Sequence, residues 1–212
     1  MAAIASELMA RAGTAAGMAK VRLAVTGGSG PLTRLAAGAD RTVWMTAVPF
    51  AAGAGPLALA VSPWPRNERS AIAGLKCASY AENLVALDHA RRAGCAEILF
   101  FNTAGELCEA ATANVFLVRN GRLSTPSLAS GCLPGIGRQV MLEAAARHGI
   151  ACAEATLTAD DLAAADEVIL TSALRGPVAA GEVAGRPLPS APLAARLREL
   201  WWNCVRSGVA SP

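Results

Sequence analysis

The sequence predicts a mixed α/β chain, α+β in its element order, with a small N-terminal part followed by a larger one. Three observations carry this. Short apolar runs of strand length, such as residues 97–102, 114–119 and 167–172, are bounded by turn residues. Asn120-Gly121 between two such runs is the signal of a two-residue hairpin, because both residues tolerate positive φ. Helix-period segments at residues 79–92 and 135–148 interleave with the strands. With 53% hydrophobic and 17% charged residues, the 212-residue chain is excluded from the disordered class and is long enough for one large or two small domains.

Taken in order, residues 1–12 read as a short helix, and residues 21–26 alternate like a strand ending in the turn cluster Gly27-Gly28-Ser29-Gly30-Pro31. Residues 43–48 and 57–61 are further strands around a Pro-bounded loop, and residues 62–70 read as a linker. Leu84, Leu87 and Ala90 form the expected stripe of the next helix, which Gly94 stops. The strand at 97–102 turns at Thr103-Ala104-Gly105-Glu106 and returns over 107–109; strands at 114–119 and 122–124 flank the Asn120-Gly121 turn. A helix enters at Pro134-Gly135, a strand covers 151–157, and Thr158 with Asp161 makes a capping box for a short helix to Ala165. Strands at 167–172 and 178–183 and a helix over 192–205 complete the chain. The expected division is a small N-terminal domain with its linker at 1–70 and a larger domain at 71–212.

Several function classes fall away. No apolar run approaches the roughly 20 residues of a membrane-spanning helix. Residues 1–11 lack a basic region followed by an apolar one, so no secretory signal is read and a cytoplasmic, non-membrane protein is expected. A net charge of +3, scattered along the chain, gives no nucleic-acid footprint. The six cysteines form no C-x-x-C pair, which argues against a metal site and for free thiols. Gly27-Gly28-Ser29-Gly30 lacks the lysine and Ser/Thr of a nucleotide phosphate loop.

The rarest residues carry the most information. Arginines outnumber lysines 17 to 2, and Lys76 lies in an uncharged stretch four residues before the single tyrosine, Tyr80. A lysine on apolar ground loses its proton more easily, the condition for a Schiff-base lysine; the alternative is a lysine snorkelling to solvent.

Four blocks then align in order: Gly74-Leu75-Lys76 with Tyr80, Glu82 and Asn83; Leu107-Cys108-Glu109-Ala110-Ala111-Thr112-Ala113-Asn114-Val115-Phe116; Leu133-Pro134-Gly135-Ile136-Gly137-Arg138; and Ala165-Asp166-Glu167-Val168 through Thr171-Ser172-Ala173-Leu174-Arg175-Gly176. Together they resemble the class IV (fold type IV) pyridoxal-phosphate enzymes, which include branched-chain and D-amino acid aminotransferases and 4-amino-4-deoxychorismate lyases. The resemblance implies a small α/β domain, a larger α/β pseudo-barrel domain, the cofactor pyridoxal 5'-phosphate, a site between the domains and a homodimer. It makes Lys76 the cofactor-bonding and catalytic lysine, and Glu109 the acid that keeps the pyridine nitrogen protonated. It gives the phosphate to the backbone N–H groups at Gly135, Ile136 and Gly137, where a helix start favours an anion. Ser172 and Ala173 become a second phosphate-side loop, and Tyr80 brings a phenol to the ring oxygen. Read without the resemblance, Glu109 is a solvated turn residue, Ser172 a strand-end serine and Tyr80 a core tyrosine.

The chain also departs from the family pattern. The segment that carries a phosphate-clamping arginine in family members is expected to be missing ahead of Met1. The stretch Val25-Thr26-Gly27-Gly28 has glycine where many members have an arginine that binds a substrate carboxylate, with Arg34 as the nearby substitute. Gly137 replaces a common threonine, Ser79 a common asparagine and Ala113 a common serine. The first and last blocks look most like the lyase group, so aminodeoxychorismate lyase, releasing pyruvate and 4-aminobenzoate, is the leading expectation. A class IV aminotransferase for branched-chain or D-amino acids is the alternative, and a truncated, catalytically impaired member a third.

Overall fold

A computed structural model describes residues 2–13, 18–28, 41–51, 53, 55–188 and 190–206. Arg34 and most of the loop that holds it lie outside the described residues. The chain forms two compact units, Met1–Gly53 and Ala54–Pro212.

In the first unit, α1 (Ala2–Arg11) lies against a two-stranded antiparallel ribbon of β1 (Ala19–Val25) and β2 (Val43–Pro49). The register runs from Ala19 opposite Pro49 to Val25 opposite Val43, and Lys20 belongs to this ribbon.

The second unit contains β3 (Leu57–Val61), α2 (Ala81–Arg92), β4 (Glu97–Phe101), β5 (Leu107–Ala110), β6 (Asn114–Arg119) and β7 (Arg122–Pro126). A 3-10 turn at Leu128–Ser130 leads to α3 (Ile136–Arg147), β8 (Cys152–Ala155), α4 (Ala159–Ala163), β9 (Glu167–Ser172), β10 (Gly176–Val183), β11 (Arg186–Pro187) and α5 (Pro192–Arg206). The strands form one mixed sheet in the order β5-β4-β3-β10-β9-β6-β7-β8, with β11 on β10. Parallel pairs join β3 to both β4 and β10, and β7 to β8. The division between units falls ahead of the linker near residue 70 that composition suggested, because β3 is laid between β4 and β10 in the large sheet. The linker itself is pinned: Arg66 bridges to Asn102, and the Glu68 carboxylate accepts hydrogen bonds from the Thr103 N–H and hydroxyl.

Strand alternation sorts side chains into separate cores. Leu99, Val115, Leu117, Val168 and Leu170 enter one cluster on one face of the sheet. Their neighbours Ile98 and Phe100 pack with Ala86, Leu87 and Ala90 of α2. Phe116, Val118 and Ile169 pack with Met141 and Ala145 of α3 and Ala194 and Leu197 of α5. The stripe expected on α2 is corrected here. Leu84 is 57% exposed, and Ala86 joins Leu87 and Ala90 inside. At 100° per residue, Ala86, Ala90 and Leu87 share one 100° arc on the sheet side with Ala90 in the middle, and Leu84 falls to the flank.

Local signals fold as their chemistry dictates. Asn120 and Gly121 take φ of 51° and 74° at the β6–β7 turn. The Thr158 hydroxyl accepts from Asp161 N–H at 3.3 Å, and the Asp161 carboxylate accepts from Thr158 N–H at 2.8 Å. Trp201 is buried, whereas Trp202 is partly exposed. Cys77, Cys95, Cys108, Cys132 and Cys152 form no disulfide, and burial pushes the Cys108 and Cys132 thiols up. No helix among the described residues is long and apolar enough to cross a membrane.

Gly131 takes φ +88°, and a Cβ there would lie 2.8 Å from the Glu68 Cα. Gly131→Ala is therefore expected to destabilise by about 2–4 kcal/mol, combining overpacking with left-handed backbone strain. Thr158→Ala, which loses only the cap, is expected to cost about 1 kcal/mol. Urea unfolding of both variants checks the order.

Candidate active site

A cavity of about 650 Å³ opens in the second unit between the N-terminal ends of α2 and α3. Its lining includes Lys76, Tyr80, Glu109, Gly135, Ile136, Gly137, Ser172 and Ala173, so all eight residues singled out from sequence meet there. They come from the loop before α2, strand β5, the start of α3 and the β9–β10 turn.

Lys76 is exposed, so the burial suggested by its uncharged neighbours is absent. Its ammonium lies 5.6 Å from the centre of the Tyr80 ring and close enough to Glu109 to favour that carboxylate's charged form. The Tyr80 hydroxyl donates to the Ala111 carbonyl at 2.8 Å, and Asn83 Nδ2 donates to the same oxygen at 2.6 Å. The phenol oxygen retains acceptor capacity toward the cavity.

Glu109 is not a solvated turn residue. Its side chain is 15% exposed, and one carboxylate oxygen accepts from the Leu133 N–H at 3.0 Å. Burial pushes its carboxyl above the ordinary range; the Leu133 hydrogen bond and the charges of Arg66 and Lys76 oppose that shift. Arg66 is the residue that sequence reasoning missed. Its guanidinium stacks over Phe100 at 4.1 Å, donates to Asn83 Oδ1 at 2.9 Å and to Glu82, and stands 3.8 Å from a Glu109 oxygen. Its Nε and Nη2 are buried without a hydrogen-bond partner. Nothing local marks it, since Glu109, Asn83 and Phe100 arrive from three other elements.

The α3 end of the cavity is built for close approach. Gly135 is the N-cap residue, and no side chain caps the helix, which leaves its first N–H groups available. A Cβ on Gly135 would lie 2.1 Å from Asn114 Oδ1, and one on Gly137 would lie 3.0 Å from Thr171 Oγ1. Asn114 Nδ2 donates to the Leu133 carbonyl at 2.8 Å, so Asn114 and Glu109 together fix the approach to the helix. Thr171 is 1% exposed and its hydroxyl has no hydrogen-bond partner. It occupies the space beside Gly137, where the threonine common in the resembling family is replaced, and provides a hydroxyl from the neighbouring strand. The Ser172 hydroxyl accepts from the Arg175 N–H at 3.3 Å and keeps its own proton to donate. An uncapped helix start, two close-packed glycines and an unpartnered buried hydroxyl fit a phosphate. A buried acid beside a cation fits a protonated ring nitrogen.

The family model described as Amino-transferase class IV matches residues 1–183. This chain belongs to that family. The branched-chain-amino-acid aminotransferase of Escherichia coli K12 is 34% identical over 143 residues, covering 64% of this chain and 46% of that protein. This class IV chain spans half or less of the length of the curated relatives it matches. Among solved structures, the branched-chain amino acid aminotransferase of Thermobaculum terrenum, in its PLP-bound holo-form, superposes with a TM-score of 0.83 at 24% identity, over 96% of this chain and 69% of that one. A candidate 4-amino-4-deoxychorismate lyase from Legionella pneumophila superposes with a TM-score of 0.85 at 24% identity, over 93% and 73% respectively. Both superpositions show the shared fold.

Because the folded-state pKa of Glu109 is raised, the folded chain binds this proton more readily than the unfolded chain does. Stability then falls as pH rises from the ordinary carboxylate range through the raised value. Relative to Glu109→Gln, the cofactor-free wild type is expected to be most stable below that window and to lose ground above it. Urea midpoints across pH check this sign.

Proposed function

We propose that this chain holds pyridoxal 5'-phosphate through Lys76 and acts on the amino group of a small substrate. The observation that carries the reading is the convergence of Lys76, the Glu109–Arg66 pair and the Gly135–Thr171 cradle on one cavity. When bound, pyridoxal phosphate supplies an electron sink for charge released at the substrate carbon. Glu109 holds a proton on the ring nitrogen, and Arg66 favours its anionic form. The N–H groups at the start of α3 and the hydroxyls of Thr171 and Ser172 hold the phosphate, restoring donors in place of a side chain at residue 137. Lys76, once neutral, takes the proton from the substrate carbon and returns it.

The walls of the cavity support transamination of an amino acid with an apolar side chain. Ile72, Leu75, Leu133 and Ile136 line it, and among the described lining residues its cations are Lys76 and the already engaged Arg66. A chorismate-derived substrate brings two carboxylates that need cationic partners. This order differs from the sequence expectation, which put the lyase first. The lyase stays as the second reading on the strength of the Gly74-Leu75-Lys76 and Ser172–Gly176 blocks. A homodimer belongs to the same proposal.

The test is incubation with pyridoxal phosphate, borohydride reduction and peptide mass mapping. A stable adduct on Lys76, lost in Lys76→Ala, is expected; no adduct there, or one on Lys20 alone, overturns the reading. The loaded chain is then offered leucine, isoleucine and valine, with release of the oxo acid expected, and 4-amino-4-deoxychorismate, from which 4-aminobenzoate would favour the lyase.

A further inference from the structure

The C-terminal helix α5 lies outside residues 1–183 matched by the family model, yet it is attached to the turn that bears Ser172 and Ala173. Arg198 Nη1 donates to the Pro177 carbonyl at 3.0 Å and to the Arg175 carbonyl at 3.4 Å, one on each side of Gly176. Gly176 takes φ +61°, and a Cβ there would stand 2.5 Å from the Trp201 ring, so the indole lies directly against the turn. Arg175 N–H in turn donates to the Ser172 hydroxyl. The other end of β9 is tied to the same helix: the buried Glu167 carboxylate accepts from the Leu193 N–H at 3.0 Å and the Ala194 N–H at 2.9 Å, at the start of α5. Ala194 and Leu197 share a core with Met141 and Ala145 of α3. One helix thus supports both elements that face each other across Gly137.

We infer that Arg198, with Trp201, is a positioning residue that sets the β9–β10 turn against the start of α3, and so sets the affinity of the cavity for the phosphate group of its cofactor. This rests on the reading given under Proposed function. Arg198 acts through the turn. Two hydrogen bonds from its guanidinium go to carbonyls flanking Gly176, and a turn released from them gives Ser172 and Ala173 room to move away from Gly137.

The discriminating measurement compares pyridoxal 5'-phosphate with pyridoxal, which differs by the phosphate alone. Both are titrated by visible absorbance into wild type, Arg198→Met and Arg198→Lys, with the melting temperature of each variant recorded. Arg198→Met, which keeps the apolar stem, is expected to lose about tenfold in affinity for the phosphate form and less than twofold for pyridoxal, in line with the loss of two ordinary hydrogen bonds felt through a turn. Arg198→Lys, with one charged donor retained, is expected to fall between, and it carries the test if Arg198→Met does not fold. A purely structural role weakens both ligands alike; equal loss, or no loss, in a folded variant overturns the inference while the wild type still discriminates between the two ligands. A wild type that does not prefer the phosphate form overturns the cofactor reading itself, and this inference with it.

Discussion

The start of α3 approaches β6 and β9 so closely that a side chain at residue 135 or 137 would force its neighbours to move. A Cβ at Gly135 would fall 2.1 Å from Asn114 Oδ1, and at Gly137 3.0 Å from Thr171 Oγ1. That steric constraint places a helix N-terminus with no side-chain cap directly beside a buried hydroxyl. The remainder of the cavity is arranged around it. Glu109 accepts from the Leu133 N–H and Asn114 donates to the Leu133 carbonyl, and together they fix where the helix begins.

The same residues connect stability to function. Glu109 is buried enough for its carboxyl to be pushed up, yet it fixes the Leu133 N–H and faces Arg66. Arg66 is itself incompletely satisfied, with two buried nitrogens lacking hydrogen-bond partners. A buried pair with such imperfect geometry is weak as a source of stability, because desolvation offsets most of the attraction. On the proposed reading, its value lies in fixing charge where a protonated ring nitrogen would be held. Glu97 shows the contrasting arrangement: fully buried, pushed up by burial, and satisfied by the Thr112 hydroxyl and the Ile98 N–H.

Most of the element order was legible in the sequence because its signals are local. The hairpin at Asn120-Gly121 needs positive φ at both residues, and Thr158 with Asp161 closes its cap within one turn of helix. The α2 stripe was misread because Leu84 and Leu87 look equivalent by composition, whereas the small Ala86 is what fits against the sheet. The linker reading of residues 62–70 missed the anchoring of Arg66 and Glu68, whose partners lie in distant elements.

The candidate site divides along the same line. Lys76, Glu109 and the Gly135–Gly137 turn stand out in the sequence by rarity and by the order of their blocks, since a cofactor's chemistry demands particular residue types. By itself, then, the sequence determined the family, the strand and turn pattern, and the residue types able to hold a phosphate and a ring nitrogen. Tertiary structure alone decided that Arg66 faces Glu109, that Thr171 fills the space beside Gly137, and that α5 grips the β9–β10 turn. Each of these is a contact between residues far apart in the chain. Such contacts arise from strand order and helix packing, which leave no trace in local spacing.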